Sequence, residues 1–272
     1  MLAKVLIDNV SADGLTGEWG LAVYIEYGDK VVLLDTGASG KFAENANALG
    51  LDLKKVDAAV LSHAHYDHSD GMDEFFKIND KAKFYLRAGS KDDCYKHDGF
   101  MKNRYIGIRK GFLTQFADRI EYAEGDVEIL PGVHLIGHKT KGLEAIGKKA
   151  QMYRKTGLFT KRDDDFSHEQ SLVFETEKGL VIFNSCSHGG ADNIIREVGE
   201  TFPDKPICAL IGGLHLFESS EEEVRALAAR IRDTGIEKIV TGHCTGEKAV
   251  NWLKEELGDV VETLCCGKVM EF

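Results

Sequence analysis

The chain has no apolar run long enough to span a bilayer, so it offers no candidate for a membrane helix. Its opening residues, Met1-Leu2-Ala3-Lys4-Val5-Leu6-Ile7, lack the long apolar core of a signal peptide and read as a first strand. A cytoplasmic protein is therefore expected. None of the six cysteines (Cys94, Cys186, Cys208, Cys244, Cys265, Cys266) makes a Cys-x-x-Cys pair, which argues against a zinc ribbon. Without a secretory signal, reduced thiols are expected. Net positive charge is also missing. At −11 the chain is a poor general binder of nucleic acid, whose affinity comes mostly from phosphate neutralisation. Lys148-Lys149 and Arg154-Lys155 are local exceptions and read as solvated loop faces. Prolines number only three, against 29 glycines, a balance that suggests many tight turns and close backbone approaches.

What is present is ordinary for a globular chain. Hydrophobic residues make up 43% and charged residues 29%, and 272 residues suffice for a full core. The first third alternates strands and turns. Leu21–Tyr27 and Lys30–Asp35 flank Gly28-Asp29 as a hairpin. A helix is expected from about Gly40 to Leu49, closing at Gly50. A buried strand follows over Val56–Leu61, then a helix starting at Met72–Phe76. Residues 80–150 are read as a pocket-shaping insertion within a single domain over 1–272, with a strand at Ala82–Leu86 and a strand pair over Val127–Ile136. The second half returns to strands at Ser171–Glu175, Leu180–Asn184, Ile207–Ile211 and Ile236–Thr241. Helices are expected at Ala191–Val198, after the capping-box pattern Ser219-Ser220-Glu221-Glu222-Glu223, and over Glu247–Leu257. In the second of these, Val224, Leu227, Ala228 and Ile231 recur at helical spacing.

The densest chemistry lies in Ser62-His63-Ala64-His65-Tyr66-Asp67-His68. Four potential metal ligands sit in this short stretch, directly after the Val56–Leu61 strand. Imidazole and carboxylate are poor choices for a buried turn unless something satisfies their polar atoms, and a pair of divalent cations would do so. Strand C-terminal ends are where α/β folds usually place their chemistry. Three further histidines stand at strand ends beside or near glycine: His188 in Ser185-Cys186-Ser187-His188-Gly189-Gly190, His215 in Gly212-Gly213-Leu214-His215, and His243 in Gly242-His243-Cys244-Thr245-Gly246. One such histidine is more often structural than ligating; three, together with the first cluster, reverse that reading. Cys186 and Cys244 lie beside candidate ligands.

This set, with Asp35-Thr36-Gly37 before it, resembles the metallo-β-lactamase superfamily over nearly the whole chain. The resemblance implies an α/β (α+β) fold, an αββα sandwich of two mixed sheets flanked by helices, with two metals at one edge. It implies that one metal takes His63, His65 and His188, and the other Asp67, His68 and His243. Asp35 is then expected to brace the metal loop by hydrogen bonding. Asp8-Asn9, Glu18-x-Gly20-Leu21, Asp164-Asp165, Glu169-Gln170-Ser171-Leu172, Cys186-x-His188, Gly212–Leu216 and His243–Gly246 resemble, more narrowly, the branch named for the dihydropterin–ribofuranosylaminobenzene phosphate synthases. Two departures stand out. The superfamily's usual fourth motif puts an Asp or Cys after the strand that precedes the last histidine, the Asp being the carboxylate that bridges the metals, but here that strand ends in Gly212-Gly213-Leu214-His215 with no Asp, and Trp19 stands where related sequences often have histidine. His215 is expected to replace that carboxylate or, with a slight preference, to contact substrate.

The cofactors expected are two divalent ions, zinc first, with iron or manganese as alternatives. The expected reaction is hydrolysis of a small molecule. A hydroxide shared by the ions would attack a phosphoryl centre (cyclic phosphate or phosphodiester) or a carbonyl centre, in a setting that could be pterin cofactor biosynthesis. Asp67 and His215 are the catalytic candidates. Trp19, Glu169 and His215 are the substrate-binding candidates; for Glu169 a place behind the ligands is the alternative to substrate contact, and a surface charge at a strand start is an equal reading. His97, His134, His138 and His168 are read as bland. A glutamate in place of His65 would have suggested an oxygen-reducing di-iron site, so His65 argues against that. The competing readings are lactone or thioester hydrolysis on the same site, or a non-catalytic metal-bearing sensor. No nucleic acid or membrane partner is expected, and self-association is left open.

Overall fold

The structure, a computed structural model, describes residues 1–99, 102–157 and 160–272. Two seven-stranded mixed sheets stack face to face. The first runs in the order Val269–Glu271, Leu2–Ile7, Ala22–Tyr27, Lys30–Leu34, Ala58–Val60, Lys83–Arg87, Ile120–Ala123. The second runs Val261–Thr263, Lys238–Thr241, Ile207–Ile211, Gly179–Phe183, Gln170–Thr176, Val133–Gly137, Val127–Leu130.

Side-chain alternation explains the layering. Because successive side chains of a strand point to opposite faces, Val32 and Leu34 enter the core between the sheets while Leu33 packs outward. In the same way Val181 and Phe183 face inward and Ile182 outward. Both faces of each sheet are thus apolar, as a sheet covered on both sides requires. Helices Lys41–Ala48 and Met72–Ile78 cover the outside of the first sheet through Phe42, Ala46 and Phe75. Helices Ala191–Thr201, Glu221–Asp233 and Glu247–Leu257 cover the second through Ile194, Leu227 and Leu253. The capping box at Ser220 and Glu223 forms, and Val224, Leu227, Ala228 and Ile231 are buried.

The 80–150 stretch divides. Lys83–Arg87, Ile120–Ala123, Val127–Leu130 and Val133–Gly137 extend the two large sheets. Asp93–His97 and Asn103–Tyr105 instead join Met152–Lys155 and Lys161–Asp163 in a separate four-stranded sheet. Arg154 does not belong to a solvated basic face. It is fully buried, with Asp92 2.9 Å and Asp164 3.2 Å away and Asp165 also in contact.

Strands Lys30–Leu34 and Ala58–Val60 run parallel, as do Gly179–Phe183, Ile207–Ile211 and Lys238–Thr241. The strands of each set therefore end at a common edge. The two sheets are tied there: Gln170 N–H donates to Ser62 O at 2.8 Å, and its side-chain amide donates to Leu61 O at 2.8 Å. The strand-end residues Asp35, Ser187, His215 and His243 all adopt positive φ, from 47° to 56°. Non-glycine residues seldom do so, and such strain concentrates at functional sites.

Candidate metal centre

Each ligand-bearing loop is held by a specific contact. Asp35, fully buried, accepts Ser62 N–H at 2.7 Å and Ser62 O–H at 2.7 Å. A carboxylate only accepts, so the Ser62 hydroxyl proton points at Asp35. The 2.8 Å contact between Ser62 Oγ and His63 Nδ1 must then be donated by the ring. His68 Nδ1 stands 2.8 Å from Asp35 Oδ2 and donates likewise. Asn9 fixes the third ring. Its Oδ1 accepts Gly20 N–H at 3.2 Å and its amide donates to His243 O at 3.0 Å. His243 Nδ1, 3.0 Å from that Oδ1, is therefore also a donor. Asp8 completes this hold by accepting His243 N–H at 2.9 Å. In all three rings Nδ1 is committed as a donor and Nε2 is the nitrogen left to face a metal, the outer-layer pattern expected around metal-ligating histidines. The expected bracing role of Asp35 has its geometric counterpart here.

The candidate ligand atoms converge. Ligand atoms of His63, His65 and His188 lie within 4.8 Å of one another. Nε2 of His63, Nε2 of His65 and both ring nitrogens of His188 are buried without a hydrogen-bond partner among the described residues, a condition that calls for a bound group. Beside them, His68 Nε2 and His243 Nε2 are 3.2 Å apart, and Asp67 Oδ2 stands 3.6 and 3.5 Å from them. Ligand atoms around a tetrahedral ion with bonds of ~2.0–2.2 Å stand ~3.3–3.6 Å apart. The donor chemistry, the spacing and the unpaired nitrogens all fit a metal.

Electrostatics agree. Burial, then the neighbouring imidazoles, holds His63 and His188 well below the ordinary histidine value, and burial with His168 pushes His65 down to about 3. These rings are neutral donors near pH 7. Burial alone would pull His68 down and Asp67 up. Instead Asp67 and Asp35 raise His68 to about 9, and His68 with His243 holds Asp67 well below the usual carboxylate range. This half of the site draws positive charge.

The fold and geometry identify the relatives. The family model described as the metallo-β-lactamase superfamily matches residues 16–150. A solved structure described as a metal-dependent hydrolase of the β-lactamase superfamily is 31% identical, with a TM-score of 0.85, covering 100% of this chain and 99% of that one. The chain belongs to the metallo-β-lactamase superfamily. Metal-dependent hydrolysis is the enzyme class its structural neighbours carry. A 7,8-dihydropterin-6-methyl-4-(β-D-ribofuranosyl)-aminobenzene-5'-phosphate synthase of Methanocaldococcus jannaschii is 28% identical over 257 residues, spanning 89% of this chain and 85% of that protein. A diphosphatase of the PhnP family matches at 16% identity and a TM-score of 0.55, a likeness of fold.

The six expected metal ligands are thus brought together in this superfamily member. A cavity of about 330 Å³ opens over them, lined by Trp19, Tyr66, Lys96, Arg104, His215 and Phe217 among others. Trp19 is 43% exposed, and its ring lies 5.1 Å from His243 and 5.4 Å from Phe217. His215 keeps both ring nitrogens unpartnered, 4.2 Å ring to ring from His188.

Of the two roles expected for Glu169, the structure places it behind the ligands and not against substrate. Its carboxylate accepts His188 N–H at 2.8 Å and Gly189 N–H at 2.9 Å and meets His138 Nε2 at 2.6 Å. With its oxygens so engaged it braces the His188 turn and does not line the cavity over the ligands. A larger hollow of about 830 Å³ touches Glu169 from behind and reaches none of the six ligands. His138 and His168 are not bland either. His138 bridges Glu169 to Glu197, and His168 accepts Ala64 N–H at 3.2 Å while facing Asp164 at 3.1 Å. Pattern reading also missed Asn9, whose partner His243 is 234 positions away; only the Asp8-Asn9 likeness marked it.

Proposed function

We propose that this protein hydrolyses a phosphoryl centre, a phosphodiester or cyclic phosphate, on a small molecule, using two divalent ions. The observation that carries the reading is the convergence of six donors in two sets, with the unpaired nitrogens of His63, His65 and His188 buried beneath a cavity. His63, His65 and His188 would hold one ion, and Asp67, His68 and His243 the other. Zinc suits these donors, with iron or manganese as alternatives. Bound there, the ions would supply Lewis acidity toward a substrate oxygen and lower the pKa of water.

The chain's own side chains support the rest. Asp67 turns one carboxylate oxygen toward both His68 and His243 and orients what binds between them. His215, half-buried with unpaired nitrogens, donates to charge developing on a substrate oxygen. Lys96 and Arg104 line the cavity paired with Glu218 at 2.8 Å and Asp98 at 2.7 Å, carboxylates that line it too, so the wall offers charged partners of both signs to a polar substrate. Trp19 and Phe217 offer aromatic faces for a flat ring. The relative from Methanocaldococcus jannaschii, with pterin, aminobenzene and phosphate in its name, supports a pterin-related substrate.

The test is turnover by metal-loaded protein of a phosphodiester, a phosphomonoester, a lactone and a thioester, with and without chelator. Phosphodiester cleavage, abolished by chelator and by His63→Ala, is expected. Turnover confined to lactone or thioester would replace the phosphoryl reading. Tight metal binding without turnover of any class would favour the sensor.

A further inference from the structure

The superfamily's bridging carboxylate has no counterpart at Gly212-Gly213, because that strand end carries no side chain beyond hydrogen. The space is not left to solvent. Cys244 Sγ fills it, 2.4 Å from where a Cβ at Gly213 would fall, and Cys186, buried at 2% exposure, packs against Cys244 from the side of the ligands. Cys186 Sγ stands 3.3 Å from His68 Nε2. It groups with His63 and His68, again with His188 and His215, and again with His243 and Cys244, each time with donor atoms within 4.8 Å of one another. The same sulfur thus reaches the first histidine set through His63 and His188 and the second through His68 and His243. The buried nitrogens of His188 and His63, without partners among the described residues, face the same spot.

We infer that Cys186 Sγ is a metal ligand, within reach of both histidine sets. The inference rests on the two-metal reading above and adds a sulfur donor to it. A sulfur at ~2.3 Å and a nitrogen at ~2.0–2.1 Å from a tetrahedral ion stand ~3.6 Å apart, close to the separation found from His68. On metal loading the Cys186 S–H bond breaks, its proton leaves to solvent, and the sulfur lone pair forms the metal bond. No redox change occurs.

Cys244 has a different part. Its Sγ lies 3.3 Å from Cys186 Sγ and is placed to donate its S–H to that sulfur. Gly213 makes room for it, since a Cβ at Gly213 would fall 2.4 Å from Cys244 Sγ. A thiol hydrogen bond to a ligating sulfur draws electron density from it and tunes the metal. The pair therefore reads as one ligand and one modulator.

The experiment loads the full chain with Co(II) and records its absorption together with metal content. Wild type should bind two ions per chain and show the intense near-ultraviolet band of thiolate-to-cobalt charge transfer. Cys186→Ser should lose that band and one ion, with circular dichroism unchanged, while Cys244→Ser should keep the band at a shifted wavelength. X-ray absorption of the zinc-loaded wild type should show a sulfur neighbour at ~2.3 Å, a readout that needs no variant. Two bound ions without the band or the sulfur neighbour would overturn the Cys186 assignment alone. A band that survives Cys186→Ser would also overturn it, by pointing to another thiol. Failure of wild type to bind any ion would overturn both this inference and the hydrolase reading.

Discussion

Asp35→Asn is the most discriminating single change, because it alters one atom that no metal or substrate touches. Asp35 Oδ2 receives both Ser62 O–H at 2.7 Å and His68 Nδ1–H at 2.8 Å, while Oδ1 receives Ser62 N–H at 2.7 Å. In the variant the backbone N–H keeps the amide oxygen, so the amide NH2 faces Ser62 and His68. Ser62 can rotate and accept. His68 Nδ1–H meets a donor, and the ring escapes by moving its proton to Nε2. That nitrogen stands 3.2 Å from His243 Nε2, and once protonated it no longer offers a lone pair to an ion. Loss of an outer-layer partner of this kind costs about 10–100-fold in metal affinity, equivalent to about 1.4–2.8 kcal/mol. The assay is competition for zinc against a chromophoric chelator. On the two-ion reading proposed above, one ion should weaken by that factor, and an ion at His63, His65 and His188 should change much less. Wild-type affinity for both ions in a folded Asp35→Asn protein would refute the tautomer argument.

Two further changes probe the frame. His138 lies between Glu169 at 2.6 Å and Glu197 at 3.0 Å. Burial lowers its pKa, but the two carboxylates more than reverse this and raise it from 6.5 to about 9. A raised folded value stabilises fully below the unfolded value and is lost as pH climbs through the folded one, so unfolding free energy should fall by roughly 3 kcal/mol between about pH 7 and about pH 9.5. Urea titrations across that window check it; a flat wild-type profile, or the same slope in His138→Gln, would contradict it. Gly213→Ala sets a methyl 2.4 Å from Cys244 Sγ and 2.8 Å from Ser185 O, and overpacking of that kind costs about 1–3 kcal/mol. An unchanged Tm would mean that this corner is looser than the geometry implies.

Much of the fold could be read in the chain because apolar spacing there matches the element it builds. Ile207–Ile211 and Glu247–Leu257 form over the expected residues, and the Ser220 cap starts its helix. The candidate ligands were legible because imidazole and carboxylate at strand ends have few other uses. Asp93–His97 was not. Its inward positions are Cys94 and Lys96, and a lysine on the inner side erases the alternation that marks a strand. Lys96 is tolerated there because Glu218, 122 residues later, meets it. Arg154 misled for the same reason: its carboxylate partners lie on other segments, so a charge buried among them reads as surface. Glu169 was ambiguous because its partners include the His188 backbone, 19 positions away. Long-range polar satisfaction leaves little local signal.

The second set of donors joins residues separated by 175 positions, His68 and His243. A ribosome adding about 5–20 residues per second needs roughly 10–35 s to make the chain between them. For that interval the Ser62–His68 loop exists without its distant half. The emerging protein can hold an ion only loosely, on part of a ligand set open to exchange with whatever metals the surroundings offer. Final metal choice therefore belongs to the last stage of maturation, when Lys238–Thr241 docks beside Ile207–Ile211 and delivers His243.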